Sequence, residues 1–222
     1  MQTRTKMPER DSQVRNKDFL QVNTGYARDE MLGEAKRCLQ CKIPLCRKGC
    51  PVEVNIPAFI KELALDNPLE AVKVLKEKNN LPAVCGRVCP QENQCEKFCI
   101  LGKKGESVAI GNLERYAADW NALNNKESAA EPQSNGVKIA VIGSGPAGLT
   151  CAGDLAKLGF KVTVFESLHD TGGVLRYGIP EFRLPSEVLD KEIDGLKQLG
   201  VNFVLNTLIG RTKTVQDLFD EC

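Results

Sequence analysis

Apolar residues recur at three- and four-residue steps between Val108 and Asn124, at Leu113, Tyr116, Ala117 and Trp120, which places them on one face of an amphipathic helix. Upstream the pattern breaks into shorter pieces. Arg28–Leu39 reads as a short helix that delivers Cys38 at its end. Asn55-Ile56-Pro57 and Asn67-Pro68 each set an Asn ahead of a proline in a first helical turn, and the second of these opens a helix over Leu69–Lys78. Met1–Asn23 is polar, of mixed charge and without a period, and reads as an arm lying on the surface or on a partner.

After Asn124 the composition changes. Asn121–Gly136 is polar, small and helix-breaking at its end, the best linker in the chain. Beyond it strand and helix patterns alternate: Val137–Ile142, Pro146–Leu158, Lys161–Phe165, Ser186–Leu199 and Val201–Leu205. That alternation predicts a parallel α/β sheet. The expected organisation is an arm over 1–23, a helical domain over 24–124, a linker over 125–136 and an α/β domain over 137–222.

The 30 basic and 29 acidic side chains leave a formal charge of +1, so no field is built to attract nucleic acid or an anionic membrane. A chain 42% hydrophobic and 27% charged is globular rather than disordered. Aromatic content of 5% suits base-stacking platforms poorly. No apolar run reaches the ~20 residues that cross a bilayer, and Met1–Arg10 is polar. Neither nucleic acid nor membrane is expected as a partner, and the expected location is the cytoplasm.

Cysteine changes the picture, because eight of the ten lie between Cys38 and Cys99. In a reducing compartment clustered thiols point to metal rather than disulfides. The first group is Cys38-x2-Cys41-x4-Cys46-x3-Cys50-Pro51, and the second is Cys85-x3-Cys89-Pro90 followed by Cys95 and Cys99. Eight soft ligands is the number that two [4Fe-4S] clusters require. Thiolates suit zinc as well, and a disulfide scaffold is the third alternative. Spacing favours clusters: zinc ribbons use paired C-x2-C knuckles, whereas a tight run closing in Cys-Pro matches bacterial ferredoxins, in which the last cysteine serves the neighbouring cluster. On that rule Cys50 crosses to the second cluster and a cysteine of the second group returns to the first.

The apolar strand Val137–Ile142 runs directly into Gly143-Ser144-Gly145-Pro146-Ala147-Gly148. Gly143 permits the tight turn, Gly145 lets backbone approach a pyrophosphate, and Gly148 lets the helix pack on the strand. The helix start then offers free N–H groups to phosphate. A second strand ends at Glu166, about the ~20 residues downstream at which a ribose-binding acid is expected. The nucleotide is NAD(P) or FAD on these residues alone. Neighbouring clusters favour FAD, which accepts a hydride pair and releases electrons singly.

Six motifs together carry a family resemblance: MPERDSQVR, CLQCKIPLCRKGCPVEVNIPAFI, CGRVCPQENQCEKFCILGKKG, AIGNLERY, VIGSGPAGL and GGVLRYGIPEFRLP. Over essentially its full length the chain resembles the small (beta) subunits of NADPH-dependent glutamate synthases. The same module is similar to the N-terminal part of dihydropyrimidine dehydrogenase and to subunits of ferredoxin:NADP oxidoreductases and sulfide dehydrogenases. The resemblance implies an α plus α/β protein: an all-helical domain holding two [4Fe-4S] clusters, then a partial Rossmann-like FAD-binding domain. It implies Cys38, Cys41, Cys46 and Cys99 on one cluster, and Cys50, Cys89, Cys95 and Glu114 on the other. Glu114 ends an IGxL motif whose last residue supplies a ligand in relatives, and Cys85 is then a bystander; counting cysteines alone would choose Cys85.

For FAD the resemblance implies Gly143 and Ser144 through Gly148 (Gly145, Pro146, Ala147) at the pyrophosphate, Glu166 at the adenosine ribose, and Gly172, Gly173 and Val174 along the remainder. Arg183 is a further implied contact and Ile209 a backbone contact near the adenine. No catalytic acid or base is expected. His169, the only histidine, reads as a surface residue, and Lys103 and Lys104 as either a steering pair for an acidic partner or a plain exposed loop.

The implied partner is a glutamate synthase large subunit making glutamate from glutamine and 2-oxoglutarate, or another redox protein, with a homo-oligomer also allowed. A complete dinucleotide fold has two mononucleotide halves, and Val137–Cys222 holds about one, so the flavin domain reads as unfinished: a fragment, a truncated gene product or one piece of a split protein, with no NADPH site expected in it. The opposing expectation, from a different class, is a non-catalytic zinc-holding scaffold.

Overall fold

The computed structural model describes residues 3–124 and 132–221. The expected linker 125–136 lies outside the described residues as far as 131. The chain divides into two compact units: Met1–Lys126 with Glu181–Pro185, and Glu127–Pro180 with Ser186–Cys222.

The first unit is helical. Its elements are α1 (Ser12–Arg15), α2 (Arg28–Ala35), α3 (Leu45–Lys48), α4 (Ile56–Ala64), α5 (Pro68–Lys76), α6 (Pro82–Val88) and α7 (Ile110–Asn124), with three 3-10 turns between Gln91 and Lys103. α4 buries Ile56, Phe59, Ile60 and Leu63, and α5 buries Pro68, Ala71, Val72 and Leu75. Both sets follow the i, i+3, i+4, i+7 spacing of one helix face, and each large side chain so buried contributes about 2 kcal/mol. Leu113 and Ala117 of α7 close the same core with Tyr26 and Met31. Pro57 and Pro68 open α4 and α5 as expected, although the Asn55 and Asn67 side chains make no capping bond.

Three differences from the sequence expectation have local causes. α2 ends at Ala35, three residues before Cys38, which continues the chain in a turn through its N–H to Ala35 O at 3.1 Å. α6 was unmarked because seven residues with a central glycine give no period. Gly86 is there for packing: a Cβ would lie 2.6 Å from the Arg115 backbone N of α7. The arm, expected to lie on the surface or on a partner, instead carries α1 and is bonded into the helical unit. Arg4 donates to Glu96 Oε2 at 2.7 Å and to Ser107 Oγ at 3.0 Å, and the Thr5 N–H donates to Glu34 Oε2 at 2.7 Å. Glu34 is fully buried and also takes the Arg37 guanidinium at 2.6 Å and the Ala109 N–H at 2.8 Å.

The second unit carries a three-stranded parallel sheet in the order β1 (Lys138–Ile142), β2 (Lys161–Phe165), β3 (Asn202–Val204). Lys138 pairs with Lys161 and Ile142 with Phe165, so β1 and β2 end level and the turn after β1 stands at the carboxyl edge of the sheet. α8 (Pro146–Lys157) follows β1, α9 (Val174–Tyr177) and α10 (Ser186–Gln198) lie between β2 and β3, and α11 (Val215–Glu221) follows β3. α8 buries Leu149, Ala152 and Ala156 on the side of β1 and the β-branched β2, and α10 buries Leu189, Ile193 and Leu196 beside α8 and α9. Among the described residues no helix is long and apolar enough to cross a membrane.

Candidate functional site

Four cysteines from two separated stretches line one cavity of about 200 Å3 in the helical unit: Cys38, Cys41, Cys46 and Cys99. Each is delivered by a different device. Cys38 follows the turn that ends α2, Cys46 lies in α3 behind Pro44, and Cys99 caps a 3-10 turn by giving its N–H to Glu96 O at 3.0 Å. The rest of the lining is apolar, including Ile56 and Ile60 of α4, Val108 and Ile110. Protein interiors are close-packed, so core formation alone gives no reason for such a space among thiols.

Burial raises the Cys38 thiol, and nearby Cys99 and Cys41 add to it. Burial pushes Cys46 up to about 11, with Cys38, Cys99 and Cys41 again adding. Soft sulfur donors so placed ionise only beside compensating positive charge, which bound iron supplies. All nine described cysteines are free thiols. Among the described residues no three or more His, Cys, Asp or Glu side chains converge as a site for a metal ion; a cluster several atoms across takes ligands from wider apart than a single ion does. The donor set and the space fit an iron–sulfur group.

Of the other cysteines, Cys85 lies in α6, Cys89 ends it and Cys95 precedes the second 3-10 turn, whereas Cys151 is exposed on α8. Cys85 and Cys89 are within hydrogen-bonding reach, which raises Cys85 and lowers Cys89 to about 7. Cys95 is buried, and burial raises it strongly, with Glu114, Glu96 and Cys50 close enough to add. Glu114, in the first turns of α7, is buried and accepts Asn79 Nδ2 at 2.8 Å. Cys50, Cys89, Cys95, Glu114 and Cys85 therefore form one neighbourhood. Sequence reasoning missed Asn79, which lies outside every motif and carries no metal-binding signal of its own. Lys103 and Lys104 are exposed.

In the α/β unit the glycines act as expected of a close-approach loop. Gly143 has φ +92°. A Cβ on Gly148 would lie 1.9 Å from Gly143 O, whereas one on Gly145 would meet nothing within 4 Å. The first is packed against the turn and the second faces open space. Pro146 and Ala147 follow in the first turn of α8, whose N-terminus has no side-chain cap. Its N–H groups are thus presented to an anion. Gly172 and Gly173, both at positive φ, return to this loop: the Gly172 N–H donates to Ser144 O at 3.2 Å and Oγ at 3.1 Å, and a Cβ on Gly173 would lie 2.9 Å from Gly145 Cα. Val174, next in chain, opens α9 exposed.

Glu166, at the end of β2, is 5% exposed. Its Oε2 accepts the Ser144 N–H at 2.8 Å and Oγ–H at 2.6 Å, and its Oε1 accepts the Leu168 N–H at 2.9 Å and Ser167 Oγ–H at 3.1 Å. Burial alone would raise this carboxyl, but the Ser144, Leu168 and Ser167 donors outweigh it and hold it at about 2. A carboxylate offers about four acceptor positions, so in this structure Glu166 fastens the loop, and a ribose hydroxyl would have to share it. Ile209 lies in the turn after β3, bridged to Lys213. Arg183 is exposed, in the Glu181–Pro185 segment that belongs to the helical unit, where the Val22 N–H donates to Phe182 O at 3.0 Å. His169 stacks edge-on with Tyr177 at 5.6 Å and is exposed.

A thiol-lined helical unit joined to a glycine-loop α/β unit defines a class of redox-cofactor proteins, and the family comparison agrees. Residues 15–126 match the family described as dihydropyrimidine dehydrogenase domain II, 4Fe-4S cluster, and residues 141–221 match an NAD(P)-binding Rossmann-like domain. The chain belongs to that 4Fe-4S family. It is 37% identical to the glutamate synthase [NADPH] small chain of Escherichia coli K12 over 96% of its length and 46% of the relative's. The small chain of Azospirillum brasilense is 34% identical over 97% of this chain and 45% of its own. The NAD-dependent dihydropyrimidine dehydrogenase subunit PreT of Escherichia coli K12 is 37% identical over 83% and 45%. The chain thus spans about half the length of the curated relatives it matches.

Proposed function

We propose that this chain is the electron-carrying part of an oxidoreductase of the glutamate synthase small-chain kind, taking electrons from NADPH through FAD and two [4Fe-4S] clusters to a large subunit that makes glutamate from glutamine and 2-oxoglutarate. The observation that carries this reading is the cavity shared by Cys38, Cys41, Cys46 and Cys99, whose members are the ones the family resemblance implies for one cluster. Cys50, Cys89, Cys95 and Glu114 are the proposed ligands of the second. When bound, the flavin accepts electrons in pairs and the clusters pass them on singly.

The chain's own residues do the holding. The first quartet sits in a mostly apolar lining, and Arg4 and Glu34 tie the arm to the loops that bear the thiols. Gly145 and the α8 N-terminus receive the pyrophosphate, with Glu166 and Ser144 fixing the turn and the Gly172–Val174 segment alongside; Arg183 and Ile209 are proposed as outer contacts. The domain limits 24–124 and 137–222 follow the same division of labour. Coverage favours glutamate synthase over PreT as the model for the partner, at 96% against 83% of the chain.

Anaerobic loading with iron and sulfide tests the reading. About eight irons and eight sulfides per chain, in two reducible [4Fe-4S] clusters, are expected. Fewer than four irons, or zinc without sulfide, overturns it. Restoration of turnover by a glutamate synthase large subunit, and not by ferredoxin or a polysulfide, then identifies the acceptor.

A further inference from the structure

The packing of α6 on α7 buries more positive charge than it neutralises. The Arg87 and Arg115 side chains are each 4% exposed, and both guanidiniums bond one carboxylate. Arg87 Nη2 donates to Asp119 Oδ2 at 2.8 Å and Arg115 Nε donates to it at 3.2 Å. Among the described residues neither guanidinium bonds a second carboxylate. Arg87 Nη1 donates to Ala83 O at 3.0 Å, Arg115 Nη2 donates to Asn23 O at 2.9 Å, and Arg87 Nε is buried without a partner. Asp119 is 32% exposed, so water shields its charge while the two cations stay in protein. A Cβ on Gly86 would lie 2.6 Å from Arg115 N, so the helices touch there with no room for water, and Gly25 lies over the Arg115 guanidinium from the arm side. An unmatched charge so placed is costly unless another group answers it.

The answering group belongs to the same two helices. Arg87 stands two residues from both Cys85 and Cys89, and Arg115 follows Glu114 directly. We propose that Arg87 and Arg115 are the counter-charge of the second cluster and raise its midpoint potential. This rests on the iron–sulfur reading above. The Cys50, Cys89 and Cys95 thiolates with the Glu114 carboxylate outweigh the positive iron–sulfide core, and reduction adds one further negative charge. A fixed cation in a low-dielectric surrounding therefore attracts the reduced form more than the oxidised one. Neither arginine is a ligand. Two residues from each cysteine, Arg87 projects from the opposite side of α6 and acts through its field alone. A guanidinium keeps its charge at every working pH, so the effect is fixed and does not titrate. Asp119 sets how much of the paired charge is left over.

The test uses the full chain loaded anaerobically with iron and sulfide, as wild type, Arg87→Gln, Arg87→Lys and Asp119→Asn, with both cluster midpoints read by redox titration of the paramagnetic signals. Cys89→Ser, which alters or loses the second cluster, marks which signal belongs to it. Arg87→Gln should move that midpoint negative by about tenfold in the reduction equilibrium, ~59 mV for a one-electron couple. Asp119→Asn, which removes the neutralising carboxylate, should move the same midpoint positive by a smaller amount. Arg87→Lys keeps the charge and should stay near wild type. The midpoint of the cluster on Cys38, Cys41, Cys46 and Cys99 should stay near wild type throughout.

Opposite signs from two partners in one ion pair cannot come from loosened packing, which would move both variants the same way. The proposal is overturned if Asp119→Asn shifts the potential in the direction of Arg87→Gln, if Arg87→Gln leaves it unchanged, if Arg87→Lys shifts it as far as Arg87→Gln, or if both clusters shift equally. Should Arg87→Gln fail to fold, Arg87→Lys and Asp119→Asn decide by the same signs. A wild-type chain that binds no iron and sulfide, or holds a cluster on the first quartet alone, fails the underlying reading instead and is recognised by metal analysis before any variant is compared.

Discussion

The two units present their candidate sites through different parts of the residue. In the helical unit the candidate donor atoms are side-chain sulfurs on turns and short helices, Cys46 in α3 among them, and their positions depend on what fastens those segments. In the α/β unit the reactive atoms are backbone N–H groups at the start of α8, placed by a strand, a turn and a helix that would form with or without a ligand. The first site is held by ionic ties that substitution can cut, and the second by close backbone approach at Gly143 and Gly148 together with the Ser144–Glu166 bonds.

Cutting the ties should give the largest effect. Glu34→Ala leaves the buried Arg37 guanidinium without its carboxylate and takes the acceptor from the Thr5 and Ala109 N–H groups. Breaking a buried pair from one side costs about 3–5 kcal/mol. Trp120, the only Trp, lies in α7 of the helical unit and reports this loss alone. Urea unfolding followed by its fluorescence should shift to a lower midpoint, while amide exchange of the α8 and α10 segments under the same urea does not change; equal shifts in both would erase the distinction between the units.

The converse experiment adds one methyl group. Gly148→Ala would put a Cβ 1.9 Å from Gly143 O, so either the turn or α8 must move. Overpacking of this kind costs about 3 kcal/mol. The expected result is loss of nucleotide retention and a lower melting temperature of the α/β unit with an unchanged Trp120 transition. Gly145→Ala, whose Cβ meets no protein atom, should leave stability near wild type and still weaken nucleotide binding.

The α/β unit was the more legible of the two in sequence, for a physical reason. Strand, turn and helix each follow from local periodicity, and β2 falls on Lys161–Phe165 as read. The glycine pattern states its own geometry, because only glycine tolerates the Gly143 φ or the Gly148 approach. The helical unit displayed its chemistry in the cysteine spacing but concealed its supports. Glu34, Arg4 and Asn79 act through contacts with residues 29 to 92 positions away, and no local pattern marks a residue for such a role. Glu166 was legible as an acid at the right distance, and its four internal donors were not.

Glu166 supplies a prediction of intermediate size. Its carboxyl is held at about 2 against an ordinary 4.5. A depressed folded-state value stabilises the fold above the unfolded value, and that stabilisation is lost as pH falls from about 4.5 to about 2. The loss amounts to roughly 2–3 kcal/mol. Acid unfolding of the metal-free chain should therefore steepen in that window, and Glu166→Gln should remove the Glu166 share of the steepening. An unchanged acid profile in the Gln variant would mean that the loop is fastened by its backbone alone.

Ser144→Ala separates those two fastenings at the smallest cost. It removes the Oγ–H bond to Glu166 Oε2 and the acceptor that Gly172 N–H uses at 3.1 Å, but keeps the Ser144 N–H to Glu166 and the Gly172 N–H to Ser144 O at 3.2 Å. A hydrogen bond to a charged group is worth about 1.5 kcal/mol net, and the surviving backbone bonds limit the loss to about that. Because Ser144 is the leading group holding the Glu166 carboxyl down, its removal should also move the acid transition upward in pH. In a double-mutant cycle with Glu166→Gln the two losses should overlap rather than add. Full additivity would show that the Ser144 hydroxyl acts through Gly172 alone and that the Glu166 carboxylate holds the turn through the Ser144 and Leu168 N–H groups.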